Sequence, residues 1–478
     1  MIRIGILSET LEVEPLRNCA ILLAAGEGTR MKVPGAKVLL PVLGKPMISW
    51  VISAVAGAGV EDCCLVVGRH REDVAACVGD KAAYVEQKER RGTGHAVMQA
   101  MDYLEGYRGA HCLVMAGDSP LISAETVRGA YEQHLQEENA VTIITAMVAD
   151  PYGYGRIVRD FSGGVLRIVE EKSANANERR ICEINSSAYW FEVDALLEAL
   201  PLIQPNPEKN EYYLTDVVEI LLQKERRAGA FQAADENEIL GANTQRQLLV
   251  LQQVAQQKIL EHHMDNGVLI ASIDGLTVGP DVTIGAGTVL RKGCTLLGST
   301  AIGGGCTVGP DALIENSHIG EGVTVNASQI YESCIGNGTR VGPFAHIRPN
   351  CEVAEDVKIG NFVELKNSTV GSKSSIAHLT YVGDADIGGR VNLGCGVVTV
   401  NYDGQNKFRT TVRDGAFVGC NVNLIAPVEV GEDAYVAAGS TVVNPVPARA
   451  LAIARARQVN MEEWVTKRNE SIKSEKKK

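Results

Sequence analysis

The stretch TVGPDVTIGAGTVLRKGCTLLGSTAIGGGCTVGPDALI, residues 277–314, decides how the C-terminal half folds. Its apolar residues Val278, Ile284, Leu290, Leu296, Ile302, Val308 and Ile314 stand six apart. After some five-residue steps the register returns at Val341, Ile347, Val353, Ile359 and Leu365, then at Val370, Ile376 and Val382, and at Ile387 and Leu393. It appears last at Val418, Leu424, Val430, Val436 and Val442. Neither a helix nor an ordinary strand has period six. A hexapeptide repeat does, and three repeats close one triangular coil of a left-handed parallel β-helix. Each anchor is expected to stack on the one eighteen residues away, with glycines such as Gly285 and Gly303 beside the anchors permitting corners of positive φ. The flat faces of such a prism predict side-by-side association into a homotrimer.

The N-terminal half has a different grammar. Asn18–Ala25 reads as a buried strand running into GEGTRM (26–31). A helix is predicted from about Pro46 to Ala56. Strand-like runs at Asp62–Val67, His111–Ala116 and Ala140–Val148 alternate with helical patterns at Thr93–Leu104 and Ala124–Glu137. Such alternation predicts an α/β domain on a mostly parallel sheet. A helix from Thr244 to about His262, with Leu248, Leu251, Ala255 and Ile259 on one face, separates the halves. The division is therefore 1–243, a helical linker 244–266, and 267–478 ending in a basic tail. Residues 1–17 form an extension of no assigned role, and Lys467–Lys478 reads as a solvated, disordered tail.

Composition excludes several classes. A net charge of −12 argues against a nucleic-acid partner. Twelve cysteines without regular spacing indicate reduced thiols rather than a disulfide framework or zinc site. No run reaches the ~18 apolar residues of a membrane span, and the acidic first seventeen residues are not a secretory signal. A cytoplasmic protein is expected.

Two constellations carry chemistry. In LAAGEGTRM (23–31), Gly26 and Gly28 let backbone N–H groups approach a polyphosphate, while Arg30 and Lys37 neutralise its charge. The loop is neither a Walker A loop nor a dinucleotide fingerprint. Asp118 ends a strand in a Gly-Asp pair and suits Mg²⁺, which prefers oxygen ligands. On the repeat, GPFAHIRP (342–349) holds Arg348, NFVELKNS (361–368) holds Lys366, and IAHLTYVGDADIG (376–388) holds His378 and Tyr381. The repeat then breaks at 399–416 around NYDGQNKF (401–408), an insertion of the kind β-helices use for binding. Arg348 and Lys366 suit a sugar phosphate, and a histidine beside them can accept a proton at neutral pH. Hexapeptide helices are typical of acyltransferases, although fold alone does not establish function.

From about residue 18 to 457 the chain resembles the sugar-1-phosphate nucleotidyltransferases. More closely, it resembles the bifunctional N-acetylglucosamine-1-phosphate uridyltransferase/glucosamine-1-phosphate acetyltransferases. The motifs that carry the resemblance are LAAGEGTRM, QKERRGTGHA (87–96), AGD (116–118), GYGRIV (153–158), VEEK (169–172), EIN (183–185), EYYLTD (211–216) and GAN (241–243). It implies a Rossmann-like nucleotidyltransferase domain followed by the β-helix. Leu23, Ala24, Ala25, Gly26, Arg30 and Lys37 would hold the UTP phosphates. Gln87, Gly92 and Thr93 would read the uracil, and Gly155, Glu170 and Asn185 the sugar. Asp118 and Asn243 would bind Mg²⁺, with Asn243 also touching the nucleotide. In the β-helix the resemblance makes His378 the proton acceptor and places Arg348, Lys366, Tyr381 and Asn392 on the sugar phosphate. Cys395, Asn401, Tyr402, Cys420, Ala438 and Arg455 would bind acetyl-CoA.

The resemblance further implies supply of UDP-N-acetylglucosamine to peptidoglycan and lipopolysaccharide synthesis. Several residues depart from the family pattern: Ala36 for a usual Pro, Arg90-Arg91 for Gln-Leu, Ser186-Ser187 for Thr-Gly, Cys395 for Ala and Cys420 for Ser. The two cysteines read as neutral swaps of small residues. The alternative function is a nucleotidyltransferase whose β-helix is purely regulatory. His378, Lys366 and the inserted loop speak against it.

Overall fold

The computed structural model describes residues 17–207 and 209–476, so all but the last residue of the 1–17 extension lies outside the described residues. The chain divides after Lys258 into two compact units.

The first unit is built on strands β1 (Cys19–Ala24), β2 (Asp62–Val67), β3 (Ala83–Glu86), β4 (His111–Ala116), β5 (Val141–Met147), β6 (Arg156–Arg159), β7 (Val165–Val169), β8 (Glu183–Glu192) and β9 (Ala228–Gln232). Their order is β9-β5-β8-β4-β1-β2-β3, with β6 paired to β8 and β7 to β6. Strands β3, β2, β1 and β4 are mutually parallel. The antiparallel β8 enters between β4 and β5, which makes the whole sheet mixed. β1 reads CAILLA because helices and loops cover both of its faces, the pattern of a central parallel strand. Its end is in register with that of β4, Leu23 against Ala116, and Gly117 donates its N–H to Leu23 O at 3.0 Å. That register brings the loop after β1 beside Asp118.

The helix expected from Pro46 spans Met47–Gly57, with Pro46 as its N-cap. That at Ala124–Gln136 is capped by Ser123, whose Oγ accepts from Thr126 N at 3.0 Å. The run 93–104 splits into Thr93–Met98 and Met101–Glu105, because the backbone leaves helical geometry at Ala100 (φ −98, ψ 10). The helix expected from Thr244 spans Gln245–Asp265, with Leu251 and Ala255 buried on its inner face.

A histidine pair lies in this unit, with His134 buried and His111 half-buried. His111 Nδ1 meets His134 Nε2 at 3.0 Å, and His134 Nδ1 meets Thr142 Oγ1 at 2.9 Å. Burial, then the neighbouring His111, pushes the His134 imidazole down to about 3 from an ordinary 6.5. The folded state therefore binds the proton less readily than the unfolded one. His134's contribution to stability is complete above pH 6.5 and is lost as pH falls from there towards 3. The loss has a ceiling of about 1.4 kcal/mol per pH unit. Urea midpoints at pH 7 and pH 5 should differ in the wild type and differ less in His134→Leu.

The second unit is the β-helix. Its strands form three parallel ladders of 11, 10 and 9 strands, one per face of the prism. The repeat anchors fill its interior. Val278 pairs with Leu296 and Leu296 with Ile314; Ile284 pairs with Ile302, and Leu290 with Val308. Coil length varies around the expected eighteen. Ile302 pairs with Ile319, one residue short, because a corner has lost a residue. Ile387 pairs with Val412, a longer step that accommodates the inserted loop. Stacked corners demand glycine where coils touch: a Cβ on Gly360 would lie 1.9 Å from Ala377 O.

The end of the chain corrects one expectation. Residues 467–478 read as a disordered tail, yet Trp464–Glu475 is a helix exposed along its whole length. Its residues have adequate helix propensity, and Arg468 lies 5.0 Å over the Trp464 ring, one turn away.

Candidate functional site

In the first unit, the loop after β1 crosses the end of the sheet and delivers Lys37 into a cavity of ≈ 550 Å³. Gly28 makes this possible. It has φ 59, and a Cβ there would lie 2.8 Å from Lys37 Cβ, so a side chain would push the lysine out. The Lys37 ammonium pairs directly with Asp118 Oδ2 and donates to Asn243 Oδ1 at 2.8 Å. Arg30 donates to the same Asn243 oxygen at 2.9 Å. Asp118 and Asn243 are far apart in sequence, and their oxygens converge on a single cation.

The other wall comes from the segment 87–96. Gln87 Nε2 donates to Gly92 O at 3.1 Å and meets His95 Nδ1 at 3.1 Å. Gly92 has φ 97, and a Cβ there would fall 2.4 Å from Tyr212 O. Only glycine lets this segment lie against EYYLTD, where Thr93 Oγ1 accepts from Leu214 N at 3.1 Å. Leu23, Ala25, Gly26, Arg30, Lys37, Gln87, Gly92, Thr93, Asp118 and Asn243 all line this one cavity. Ala24 is buried within β1 behind it.

A Cβ on Gly155 would stand 3.6 Å from Asn185 Cβ, and the charge of Glu170 acts on Tyr189, the partner of Asn185. Asn185 N donates to Gly155 O at 2.9 Å, and Asn185 Nδ2 donates to the Tyr189 hydroxyl at 2.6 Å. Burial raises the Glu170 carboxyl above its usual range, against the charge of Lys209 and a contact from Thr215. Asp216 is pushed up to about 6 by burial, then by Glu170 and Glu219.

The unusual residues have local partners. Arg90 pairs with Glu27 at 2.9 Å on the cavity wall, and Arg91 stacks 4.9 Å over Tyr212. Ser186 Oγ donates to Ile144 O at 2.6 Å, and Ser187 takes a left-handed backbone, φ 62. Ala36 O accepts from Leu39 N and starts the turn carrying Lys37.

In the second unit, successive coils set the candidate residues side by side. His378 is the register partner of Asn361 in the coil below, and its Nδ1 meets Asn361 Oδ1 at 2.7 Å. An amide oxygen only accepts, so Nδ1 is the donor in this contact. Asn361 lies within NFVELKNS, but its pairing with His378 emerges only once the coils stack. Tyr381 lies over Gly383, where a Cβ would meet the tyrosine hydroxyl at 2.2 Å. Arg348 pairs with Glu364 at 3.0 Å, and Lys366 approaches Asp384 at 3.6 Å.

Lys407, in the inserted loop, is a residue that sequence reasoning passed over. Its ammonium neighbours Lys366, which holds it below the usual lysine range. Burial pushes the Asp384 carboxyl up, but bonds from Asn367 and Asn401, with the charges of Lys366 and Lys407, bring it below the usual carboxylate range. Asn392 faces outward between Ser375 and Phe417 on one ladder.

Cys395, Cys420 and Ala438 occupy one corner in consecutive coils. Asn421 N donates to Cys395 O at 2.7 Å, and Gly439 N donates to Cys420 O at 2.8 Å. A Cβ on Gly439 would stand 3.7 Å from Arg455 Cδ, which extends the column by one coil. The twelve cysteines are all free. Asn401 and Tyr402 open the inserted loop, where Tyr402 bridges Lys407 and Phe408 N donates to Asn401 O at 2.8 Å. Among the described residues, no helix is long and apolar enough to cross a membrane.

The Nucleotidyl transferase family model matches residues 19–261, and the bacterial transferase hexapeptide model, with its six repeats, matches 335–367. Fold and sites together are those of a transferase in which a nucleotidyltransferase unit precedes a hexapeptide-repeat unit. Over 94% of its length the chain is 48% identical to the bifunctional protein GlmU of Acetivibrio thermocellus, covering 97% of that protein. Similar matches extend to the GlmU proteins of a Geobacillus species (48%, 94% of this chain, 98% of the relative) and Halalkalibacterium halodurans (46%, 94% and 99%). The chain belongs to the bifunctional GlmU family. It is an enzyme of UDP-N-acetylglucosamine synthesis with uridyltransferase and acetyltransferase activities, and its β-helix is not merely regulatory.

Proposed function

We propose that the cavity behind Lys37 performs uridyl transfer and that the His378 cluster performs acetyl transfer, with residues 1–243 and 267–478 as the two catalytic domains and 244–266 as the linker. The observation that carries the first half is the convergence of Asp118 and Asn243 oxygens on the Lys37 ammonium. Two oxygen donors already share a cation there, and a single carboxylate completed by substrate phosphates suits Mg²⁺. Mg²⁺ held by Asp118 and Asn243 would supply positive charge to the phosphate oxygens.

The chain's own residues do the rest. Gly26 and its neighbours offer backbone N–H groups to the triphosphate, while Lys37 and Arg30 spread positive charge along it. Gln87, Gly92 and Thr93 hold the uracil, and Gly155, Glu170 and Asn185 hold the sugar. A phosphate oxygen of N-acetylglucosamine 1-phosphate attacks the α-phosphorus of UTP, and the bond to pyrophosphate breaks. No covalent enzyme intermediate is needed, because positioning and charge neutralisation lower the barrier.

In the second unit Arg348, Lys366, Tyr381 and Asn392 hold glucosamine 1-phosphate. Cys395, Cys420, Ala438 and Arg455 hold acetyl-CoA along one corner, and Asn401 and Tyr402 hold it from the next. The amine attacks the thioester carbonyl, His378 Nε2 takes the amine proton, the carbon–sulfur bond breaks, and the proton passes to the sulfur so that coenzyme A leaves as the thiol. Asn361 keeps Nδ1 protonated so that Nε2 remains the acceptor.

One assay tests the whole assignment. With glucosamine 1-phosphate, acetyl-CoA, UTP and Mg²⁺ present, free thiol and pyrophosphate should both appear. Adding EDTA should stop pyrophosphate and leave thiol release running. Thiol release that stops equally would remove the metal from its assigned place. The side-by-side prism further implies a trimer, so light scattering at micromolar concentration should give about three times 51.1 kDa. A monomer active in acetyl transfer would exclude it.

A further inference from the structure

Asp384 has no assigned role, yet it sits under both halves of the acetyl-transfer site. It is 7% exposed and has a left-handed backbone, φ 48. Its Oδ1 accepts from Asn367 Nδ2 at 2.6 Å. Its Oδ2 serves two groups at once, accepting from Asn401 Nδ2 and facing Lys366 Nζ at 3.6 Å. The backbone repeats the link: Asp384 N donates to Lys366 O at 2.9 Å, and Asp384 O accepts from Thr410 N at 3.1 Å. Asn401 and Thr410 flank the inserted loop, so one residue pins both of its ends.

We propose that Asp384 is a positioning residue that couples the two acetyl-transfer substrates, because one carboxylate oxygen is shared by a group on the sugar-phosphate side and a group on the acetyl-CoA side. The inference rests on the placement of Lys366 and Asn401 under the proposed function. With the site empty, Lys366 and Asn401 share Oδ2. A sugar phosphate draws the Lys366 ammonium towards its own oxygens, and Oδ2 is then left to Asn401. The amide and the loop behind it become more firmly held in the arrangement that meets acetyl-CoA. Each substrate therefore improves the binding of the other, by the same factor in both directions.

Calorimetric titration of the full-length protein tests this, with coenzyme A and glucosamine 1-phosphate as the probes. In the wild type, saturating glucosamine 1-phosphate should lower the Kd of coenzyme A by about fivefold or more, the usual scale of such couplings. Asp384→Asn should bring that ratio close to one. Asparagine tolerates the left-handed backbone, so the fold should survive, and a circular-dichroism melt checks it. Asn401→Ala provides a second route. It frees Oδ2 to hold Lys366 more tightly, so the Kd of glucosamine 1-phosphate alone should rise several-fold although Asn401 lies on the acetyl-CoA side. Lys366→Ala weakening only the sugar phosphate, and Asn401→Ala weakening coenzyme A, would uphold the site assignment itself. If neither does so, that assignment falls and the inference with it. If both do, but the wild type shows no coupling, Asp384→Asn retains it, or Asn401→Ala leaves the sugar-phosphate Kd unchanged, the positioning role alone is overturned.

Discussion

Asp118→Ala should cut pyrophosphate formation on the order of 10²–10³-fold or more, while thiol release from acetyl-CoA stays near the wild-type rate. The carboxylate is the only full negative charge in the proposed metal-binding pair. It is also the group that fixes Lys37, whose ammonium bonds both Asp118 and Asn243. Removing it leaves Lys37 tethered only by a neutral amide oxygen. The variant thus loses its grip on a divalent cation and the placement of a phosphate-neutralising lysine together. Asp118→Asn separates the two effects: it keeps an oxygen for the lysine but lacks the charge a dication needs. Separate assays of the two half-reactions provide the check. Equal loss of both activities would mean a general folding defect and would refute the assignment.

His378→Ala should lower the acetylation kcat by about 10²–10⁴-fold, the usual contribution of a general base. The amine must lose a proton during attack. The 2.7 Å contact with Asn361 engages His378 Nδ1 and leaves Nε2 as the nitrogen to accept it. The KM for glucosamine 1-phosphate should move much less, because Arg348 and Lys366 hold its phosphate. Uridyl transfer from supplied N-acetylglucosamine 1-phosphate should be untouched. Asn361→Ala should fall between wild type and His378→Ala, since it releases the tautomer without removing the base. A His378→Ala enzyme at full rate would mean that another group accepts the proton, and Cys420, two coils further along the same corner, would be the next to test.

Much of the candidate site was legible in sequence because its parts are contiguous. A glycine-rich loop directly follows a strand, and the repeat takes one long insertion, at the loop that meets Lys366. Lys37 could be picked out because a cation follows that loop. His378 could be picked out because it lies between the anchors Ile376 and Val382, near two other cations and the inserted loop. Residues that act only through partners distant in the chain could not be found this way. Asn361 reaches His378 because one coil is seventeen residues long at that level, and a coil of eighteen would misalign them. Asp384 meets Asn401 across the next coil, and Lys407 meets Lys366 only because the inserted loop folds back.

The hexapeptide period by itself determined the β-helix, since six-residue spacing of small branched residues can bury its anchors in no other regular way. The alternation of apolar strands and amphipathic helices likewise determined an α/β first unit. Tertiary structure decided the rest. The antiparallel entry of β8 made the sheet mixed, a pairing choice that local periodicity does not encode. The final helix Trp464–Glu475 formed where charge alone suggested a disordered tail. The convergence of Asp118, Asn243 and Lys37 depended on the register of β1 against β4, because a shift of one residue would turn each strand's side chains to the opposite face.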